Sequence, residues 1–110
     1  MGEVYFGLYR LAADGFPVAL LPERLQGQFR IEELDGSAVA AGAGWQRYPD
    51  LLRANRAGLA RLAEVRYPHA AELLVLGARG LAEGAAVAPD KVVPTYLRHE
   101  VARPPADPGP

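Results

Sequence analysis

An α/β domain is the fold class that the sequence predicts. Residues 2–10 alternate polar and apolar side chains, which is typical of a half-buried β-strand, and Asp14-Gly15 follows as a hairpin signal. Residues 69–83 carry leucines and alanines at helical spacing, with Gly84 at the position of a C-terminal cap. We therefore expect an antiparallel hairpin at the start of the chain and helices packed beside it.

The first third of the chain is predicted to form the hairpin and one short helix. Val, Tyr and Phe in residues 2–10 suit a pleated surface, and residues 16–21 read as the returning strand. Pro17 has no N–H for a ladder, so this strand starts there or lies at an edge. Residues 28–34 are predicted to be a short helix that ends at Asp35-Gly36.

The middle and end of the chain alternate between strand and helix signals. Residues 37–41 read as a short buried strand, residues 42–45 as a tight turn, and residues 48–57 as a helix with Pro49 in its first turn. Residues 59–66 fit either a strand or a continued helix. Residues 92–98 are expected to be an extended segment that docks on the body, and the proline-rich residues 103–110 to be a disordered tail.

Composition limits the classes of function. The chain has 110 residues, 50% of them hydrophobic and 23% charged, which suits one folded domain. It has no cysteine, so disulfides, thiol nucleophiles and thiolate metal sites are excluded. The net charge is −1 and the arginines are scattered, so no basic cluster predicts nucleic-acid binding. Neither a signal peptide nor a membrane-spanning stretch is indicated.

Side chains suited to catalysis are few. Ser37 precedes an apparently buried strand, where a nucleophile would lack the exposed turn and neighbouring base that it needs. His69 and His99 are thirty positions apart and fit no metal-ligand spacing. Adjacent carboxylates such as Glu32 and Glu33 do not face each other on a helix and are best explained as a solvated face. The residues thus indicate neither a catalytic centre nor a metal site.

Two patterns leave a binding role open. Gly42-Ala43-Gly44 follows a strand and precedes a helix, as in phosphate-binding loops, but a third glycine is lacking and Trp45 follows directly. A structural turn with Trp45 as a buried anchor is the favoured interpretation. The aromatic side chains could stack on bases, but core and rim packing is favoured because no basic cluster accompanies them.

Four stretches in order, residues 1–10, 42–50, 68–74 (P-H-A-A-E-L-L) and 92–102, resemble the TsaB/YeaZ family over residues 1–102. Family members carry G-E-V-Y with a later tyrosine at the start of their second lobe, G-x-G-W with a later proline, and a final P-x-Y-L-R followed by V-A. The matching positions here are Gly2-Glu3-Val4-Tyr5 with Tyr9, Gly42 and Gly44-Trp45 with Pro49, Pro94 with Tyr96-Leu97-Arg98, and Val101-Ala102.

The resemblance implies a fold and a function. The fold is one lobe of the RNase H-like, actin-like type, built on a mixed twisted sheet with flanking helices. The function is that of a non-catalytic, cytoplasmic scaffold, acting with TsaD and TsaE in forming threonylcarbamoyladenosine at position 37 of tRNA, with tRNA contacted only indirectly. No cofactor or metal is implied. An M22-type peptidase-like hydrolase and a self-associating ligand-binding module remain the alternatives.

The resemblance also bears on the extent of the chain and on its functional residues. Residues 1–102 match the C-terminal lobe, so we expect Met1 to stand at an internal position of the family and an N-terminal lobe, with most of the TsaD contact, to be absent. A lobe without its mate is expected to form homo-oligomers. The motif residues expected to fix the lobe or contact a partner are Glu3, Tyr5, Trp45, Tyr96 and Arg98, with Gly42 and Gly44 forming the turn.

Overall fold

Residues 2–97 are described by the computed structural model, and they form an α/β fold, as predicted. Within them, six short strands and three helices follow each other along the chain. The strands are β1 (Val4–Phe6), β2 (Tyr9–Leu11), β3 (Pro17–Ala19), β4 (Arg24–Gln26), β5 (Ala38–Ala40) and β6 (Leu59–Leu62); the helices are α1 (Gly44–Arg47), α2 (Pro49–Asn55) and α3 (Ala70–Ala82).

The strands pair in both senses, as expected for a mixed sheet, but within residues 2–97 they form three separate two-stranded ladders. β1 pairs with β4 and β2 with β3, both antiparallel, whereas β5 and β6 are parallel. A parallel pair needs a crossover connection, which α1 and α2 supply here.

The predicted hairpin is confirmed, with a break that the alternation does not show. Asp14 Oδ1 accepts a hydrogen bond from the Phe16 N–H at 3.1 Å, and Gly15 takes φ +84°, so the turn has the chemistry that the sequence indicates. The predicted strand 2–10 is divided at Gly7-Leu8 into β1 and β2. The returning strand is β3, which begins at Pro17.

The helix predicted over residues 28–34 is wrong. The regular structure of this region lies earlier in the chain, where β4 (Arg24–Gln26) pairs with β1 and places Arg24 opposite Phe6. Residues 28–34 contain a bend, a turn and irregular backbone, and the Ile31 N–H donates to Asn55 Oδ1 at 2.6 Å rather than to a helical carbonyl. Tertiary pairing has overridden the local helical spacing.

The strand at 37–41, the helix at 48–57 and the helix at 69–83 are confirmed as β5, α2 and α3. The open choice at 59–66 resolves in favour of a strand, β6, because a 3-10 turn at Arg56–Gly58 ends α2 and the next residues pair with β5. Gly84 takes φ +78° just after α3, as its predicted capping position requires.

The core lies in the first half of the chain. Its buried hydrophobic side chains are Phe6, Ile31, Ala40, Trp45 and Leu51. By contrast, α3 contains no buried residue. Trp45 is one of the buried side chains, as expected for the predicted anchor between turn and sheet.

The segment at 92–97 does not dock as expected. Val92, Val93 and Tyr96 are all exposed, and no strand forms between residues 92 and 97. The predictions for Arg98, His99 and the tail at 103–110 lie outside the described residues. Among residues 2–97, the helices all lack the length and apolar character needed to span a bilayer.

Candidate functional site

The G-A-G-W turn links strand β5 to helix α1. Gly42 takes φ +107°, a left-handed conformation that favours glycine, and its N–H donates to the Val65 carbonyl oxygen at 2.7 Å. This bond ties the turn to the segment after β6. No atom lies within 4 Å of the position that a Gly42 Cβ would occupy, so the glycine is required by backbone conformation and not by crowding.

The second glycine of the turn lies at a tight contact. A Cβ on Gly44 would lie 3.0 Å from Val4 Cγ1, because the start of α1 rests against strand β1. The next residue, Trp45, is 8% exposed and packs in the core with Phe6 and Leu51. The first two sequence motifs, far apart in the chain, therefore meet here.

An apolar groove of about 580 Å³ lies between these two motifs. One wall comes from β1 and the residues after it, and the other comes from β5 and the G-A-G-W turn. Arg66 is the charged residue among those that line it. The full lining is Val4, Tyr5, Phe6, Gly7, Leu8, Leu34, Ala38, Val39, Ala40, Ala41, Gly42, Ala43, Gly44, Trp45, Leu51, Leu59, Arg66 and Pro68.

This groove is suited to binding apolar groups. Its walls carry aliphatic and aromatic side chains, and a site of this composition recognises apolar groups, with few polar atoms to orient them. Val39 is half exposed at its rim, and Tyr5 is 65% exposed.

The structure brings together four of the seven predicted site residues. Tyr5, Gly42, Gly44 and Trp45 all line the groove. Glu3 is exposed and lines a separate depression with Gln28, Phe29 and Asp50 among its neighbours, so the groove does not include it. Tyr96 is 64% exposed and is not part of the groove, and Arg98 lies outside the described residues.

Ser37 is occupied by a structural hydrogen bond. Its Oγ donates to Asp35 Oδ1 at 2.5 Å, and the same oxygen accepts from the Ser37 N–H at 2.9 Å. The hydroxyl hydrogen bond is the main reason that the pKa of Asp35 lies below its ordinary value. An ionised acceptor of this kind closes the turn at residues 35–37. Activation of a serine nucleophile instead needs a general base.

Metal ligation is not indicated by the described residues. Between residues 2 and 97, no three His, Asp or Glu side chains come close enough together to hold an ion. The nearest approach to a charged cluster is at Arg79, which contacts Asp14 at 2.8 Å and Glu83 at 3.0 Å. The pair with Asp14 joins α3 to the hairpin, and the pair with Glu83 lies at the end of α3 itself.

Sequence reasoning missed two side chains that join distant segments of the chain. Asn55, at the end of α2, is 2% exposed and binds the backbone of residues 29–31. Arg24 forms a bidentate ion pair with Glu33, at 2.9 and 3.2 Å, and lies over the Phe6 ring at 5.3 Å. The ion pair lowers the pKa of Glu33. For Asn55, its position in the helix predicted over residues 48–57 was the available sequence signal. For Arg24 the sequence offered no signal.

The comparisons with known proteins agree with the motif order. No family model matches the chain. The tRNA threonylcarbamoyladenosine biosynthesis protein TsaB of Escherichia coli K12 is 37% identical over 109 residues of alignment, which cover 93% of this chain and 46% of that protein. The chain thus spans about half the length of this curated relative.

A solved structure shows the same likeness in three dimensions. It is the crystal structure of an uncharacterized protein from Pseudomonas aeruginosa with similarity to the peptidase YEAZ. The TM-score is 0.73 at 29% identity, with 89% of this chain and 45% of the other covered. Sequence and fold together therefore confirm the resemblance that the four motifs predicted: over about half the length of a full-size relative, the chain is related to the TsaB/YeaZ proteins.

Proposed function

We propose that the chain acts as a non-catalytic component in forming threonylcarbamoyladenosine at position 37 of tRNA, in the cytoplasm, together with TsaD and TsaE. The observation that carries this proposal is the 37% identity to a protein named for threonylcarbamoyladenosine biosynthesis, across 93% of the chain. In this proposal TsaD performs the transfer, the chain contributes binding surface, and tRNA is contacted only through the assembly.

The groove supports a binding role in that assembly. Its walls are made by the two motifs that carry the resemblance, and they present apolar surface with a single charged neighbour, Arg66. Apolar surface of this kind gains free energy when a partner side chain removes it from water. Val39, at the rim, is the side chain best placed to test this, because it is half exposed and its loss opens no buried cavity.

Titration of the chain into a reaction containing TsaD, TsaE, tRNA and the threonylcarbamoyl donor tests the proposal. Nucleoside analysis of the tRNA gives the yield. For a scaffold we expect the rate to rise until the chain is stoichiometric with TsaD and then to level off. An enzyme would instead accelerate product formation well below that ratio, and an inert chain would leave the yield unchanged; either result contradicts the proposal.

A matched pair of variants connects the reaction to the groove. Val39→Asp places a charge at the groove rim, and Leu20→Asp places one on the hairpin at similar exposure but outside the groove. Loss of stimulation with the first variant alone supports docking through the groove. Equal behaviour of the two variants would show that the groove takes no part.

The size of the groove favours one other function, that of a small-ligand-binding module. A volume of about 580 Å³ lies within the range of small-molecule sites. A ligand that binds only the native state must raise the melting temperature by mass action. A thermal-shift screen of apolar small molecules against the wild type and Val39→Asp separates this function from the scaffold, which needs no ligand. The peptidase alternative predicts peptide cleavage by the pure chain.

A further inference from the structure

The chain contains two aspartates that are followed directly by glycine, in the steps Asp14-Gly15 and Asp35-Gly36. Such a step is chemically labile in a peptide, because glycine has no side chain to shield its backbone nitrogen from the neighbouring carboxyl group. The nitrogen can attack the side-chain carbon of the aspartate and close a succinimide ring. In a folded protein the reaction needs a backbone that is free to move, and the two turns differ in this respect.

Asp14-Gly15 lies at the tip of the hairpin between β2 and β3. Both residues are exposed, and nothing lies within 4 Å of the position that a Gly15 Cβ would occupy. The Gly15 N–H donates to the Ala12 carbonyl oxygen at 2.9 Å, a hydrogen bond within the same turn. Opening this bond disturbs only the hairpin tip, and exposed loop tips open at little cost in free energy.

Asp35-Gly36 is tied to a distant part of the chain. The Gly36 N–H donates to the Gly58 carbonyl oxygen at 2.9 Å, which joins this turn to the segment between α2 and β6. A Cβ on Gly58 would lie 2.7 Å from Leu34 Cβ, so the two segments are in close contact. Freeing the Gly36 nitrogen requires that they separate, and the barrier to ring closure rises by the cost of that local unfolding.

The carboxyl groups of the two aspartates are held alike. Asp14 Oδ1 accepts a hydrogen bond from the Phe16 N–H, and Asp35 Oδ1 accepts from the N–H and Oγ of Ser37. Both sets of contacts favour the ionised carboxylate, from which an oxygen does not leave readily. The carboxyl groups therefore do not distinguish the two steps, whereas the attacking nitrogens do.

We propose that Asp14 is a site of spontaneous modification, at which the folded chain forms isoaspartate several-fold faster than at Asp35. The Gly15 nitrogen attacks Asp14 Cγ, and the carboxyl hydroxyl leaves with the proton of that nitrogen as water. Water then adds to one of the two carbonyl carbons of the succinimide. Breaking the bond from Cγ to nitrogen restores aspartate, and breaking the bond from the main-chain carbonyl carbon to nitrogen gives isoaspartate.

Isoaspartate at position 14 would disturb the contact between the hairpin and α3. Its main chain passes through Cγ, so the backbone gains a methylene and the free carboxylate is attached at Cα. In the native turn, Arg79 contacts Asp14 Oδ2 at 2.8 Å and lies 4.1 Å from the centre of the Phe16 ring. The displaced carboxylate loses this geometry. Because α3 contains no buried residue, we expect the helix to dock less firmly.

Arg79 in turn protects Asp14 from the reaction. Ring closure proceeds through the protonated carboxyl group, and hydrogen bonds from the Phe16 N–H and from Arg79 lower the pKa of Asp14. Both members of the ion pair are partly exposed, and such pairs contribute little free energy, so the pair opens readily. Removal of Arg79 should therefore speed up the modification.

The test uses the wild-type chain, because trypsin separates the two steps. Cleavage after arginine gives peptides 11–24 and 31–47, each of which contains a single aspartate. The folded chain is incubated at mildly acidic pH in water enriched in heavy oxygen, then digested in ordinary water and analysed by mass spectrometry. Each passage through the succinimide leaves a heavy oxygen atom in the aspartate, and an isoaspartyl methyltransferase detects the isomer. Label should accumulate at Asp14 several-fold faster than at Asp35.

Two comparisons assign the difference to the fold. In urea, where neither turn is held, the two aspartates should take up label at similar rates. Arg79→Ala should increase the labelling of Asp14 alone, whereas Arg53→Ala, which removes an exposed ion pair within α2, should change neither site. Equal labelling of the two aspartates in the folded chain, faster labelling of Asp35, or no label at Asp14 would overturn the proposal.

The consequence for α3 is measured on the aged chain. Chains with isoaspartate at position 14 are separated by ion-exchange chromatography and compared with the unmodified fraction by amide hydrogen exchange. We expect several-fold faster exchange in α3 and unchanged protection in β1 and α2. Identical exchange of α3 in the two fractions would show that the modification does not loosen the helix.

Discussion

At the scale of single residues, Asn55 holds two distant segments together. It is 2% exposed; its Nδ2 donates to the Phe29 carbonyl at 2.9 Å and the Leu51 carbonyl at 2.8 Å, and its Oδ1 accepts from the Ile31 N–H at 2.6 Å. A buried amide is stable only when its donors and acceptor are paired. Here they are all paired to backbone groups. The side chain therefore supplies hydrogen-bond partners to a segment that forms no helix of its own.

Replacing this residue should be costly. Asn55→Ala leaves the buried Ile31 N–H without its partner, and a buried group left unpaired costs about 1–3 kcal/mol. We expect the free energy of unfolding, measured by urea denaturation, to fall by about 2 kcal/mol or more. Arg53→Ala, two residues away on the exposed side of α2, is the control and should change little. A loss for Asn55→Ala no larger than that of the control would show that the hydrogen bonds contribute nothing net.

At the scale of elements, Arg79 links α3 to the hairpin. Arg79 pairs with Asp14 of the hairpin and Glu83 of its own helix, and its guanidinium lies over the Phe16 ring. Glu83 and Asp14 together raise the pKa of Arg79 above its already high ordinary value, so the charge is permanent. Because α3 buries no residue, this cluster is the main polar link between the helix and the hairpin.

Breaking the link should free the helix without unfolding the core. In Arg79→Ala we expect amide hydrogens of α3 to exchange several-fold faster, while those of β1 and α2 stay protected. Mass spectrometry of exchanged peptides gives this directly. Arg53→Ala, which removes an ion pair within α2, is the matched control. Uniformly faster exchange throughout Arg79→Ala would mean that α3 and the core unfold as one unit.

At the scale of the whole molecule, the charged side chains set a pH range of stability. Three carboxyl groups have lowered pKa values. Hydrogen bonds from the Phe16 N–H and from Arg79 lower the pKa of Asp14, and a hydrogen bond from Arg24 lowers that of Glu33. Hydrogen bonds from Ser37 lower the pKa of Asp35. A lowered pKa in the folded state adds stability that is complete above the ordinary value near 4 and is lost as the pH falls through the lowered value. The molecule should therefore weaken below pH 4.

The alkaline limit has a different origin. The Tyr9 hydroxyl donates to the Glu23 carboxylate, and this bond raises the pKa of Tyr9 to about 12. The neutral phenol is favoured by folding, so its contribution is complete below the ordinary pKa near 10 and disappears as the pH rises towards 12. Urea midpoints measured across the pH range should show a plateau with losses at both ends. Tyr9→Phe should flatten the alkaline loss and Glu33→Gln should reduce the acid loss; unchanged slopes would contradict these assignments.

Local chemistry by itself determined much of this protein. The Asp14-Gly15 turn, the helices over 48–57 and 69–83, the capping position of Gly84 and the anchoring role of Trp45 all follow from short-range signals: φ preference, helical spacing and side-chain size. The motif order determined the relationship to TsaB/YeaZ proteins. For the turn, the two helices and the cap, the cause lies within a few residues of the effect, so the sequence contains it directly.

Only the tertiary structure decided how distant segments use one another. Residues 28–34 form no helix because β1 takes Arg24–Gln26 as a strand partner and Asn55 binds the backbone beyond it. The groove lies where α1 rests on Val4, forty residues before Gly44, and α3 contributes no buried residue to the core. Pairing energies across the chain exceed local propensities of a few tenths of a kcal/mol per residue, and no short stretch of sequence reveals which partner a strand will meet.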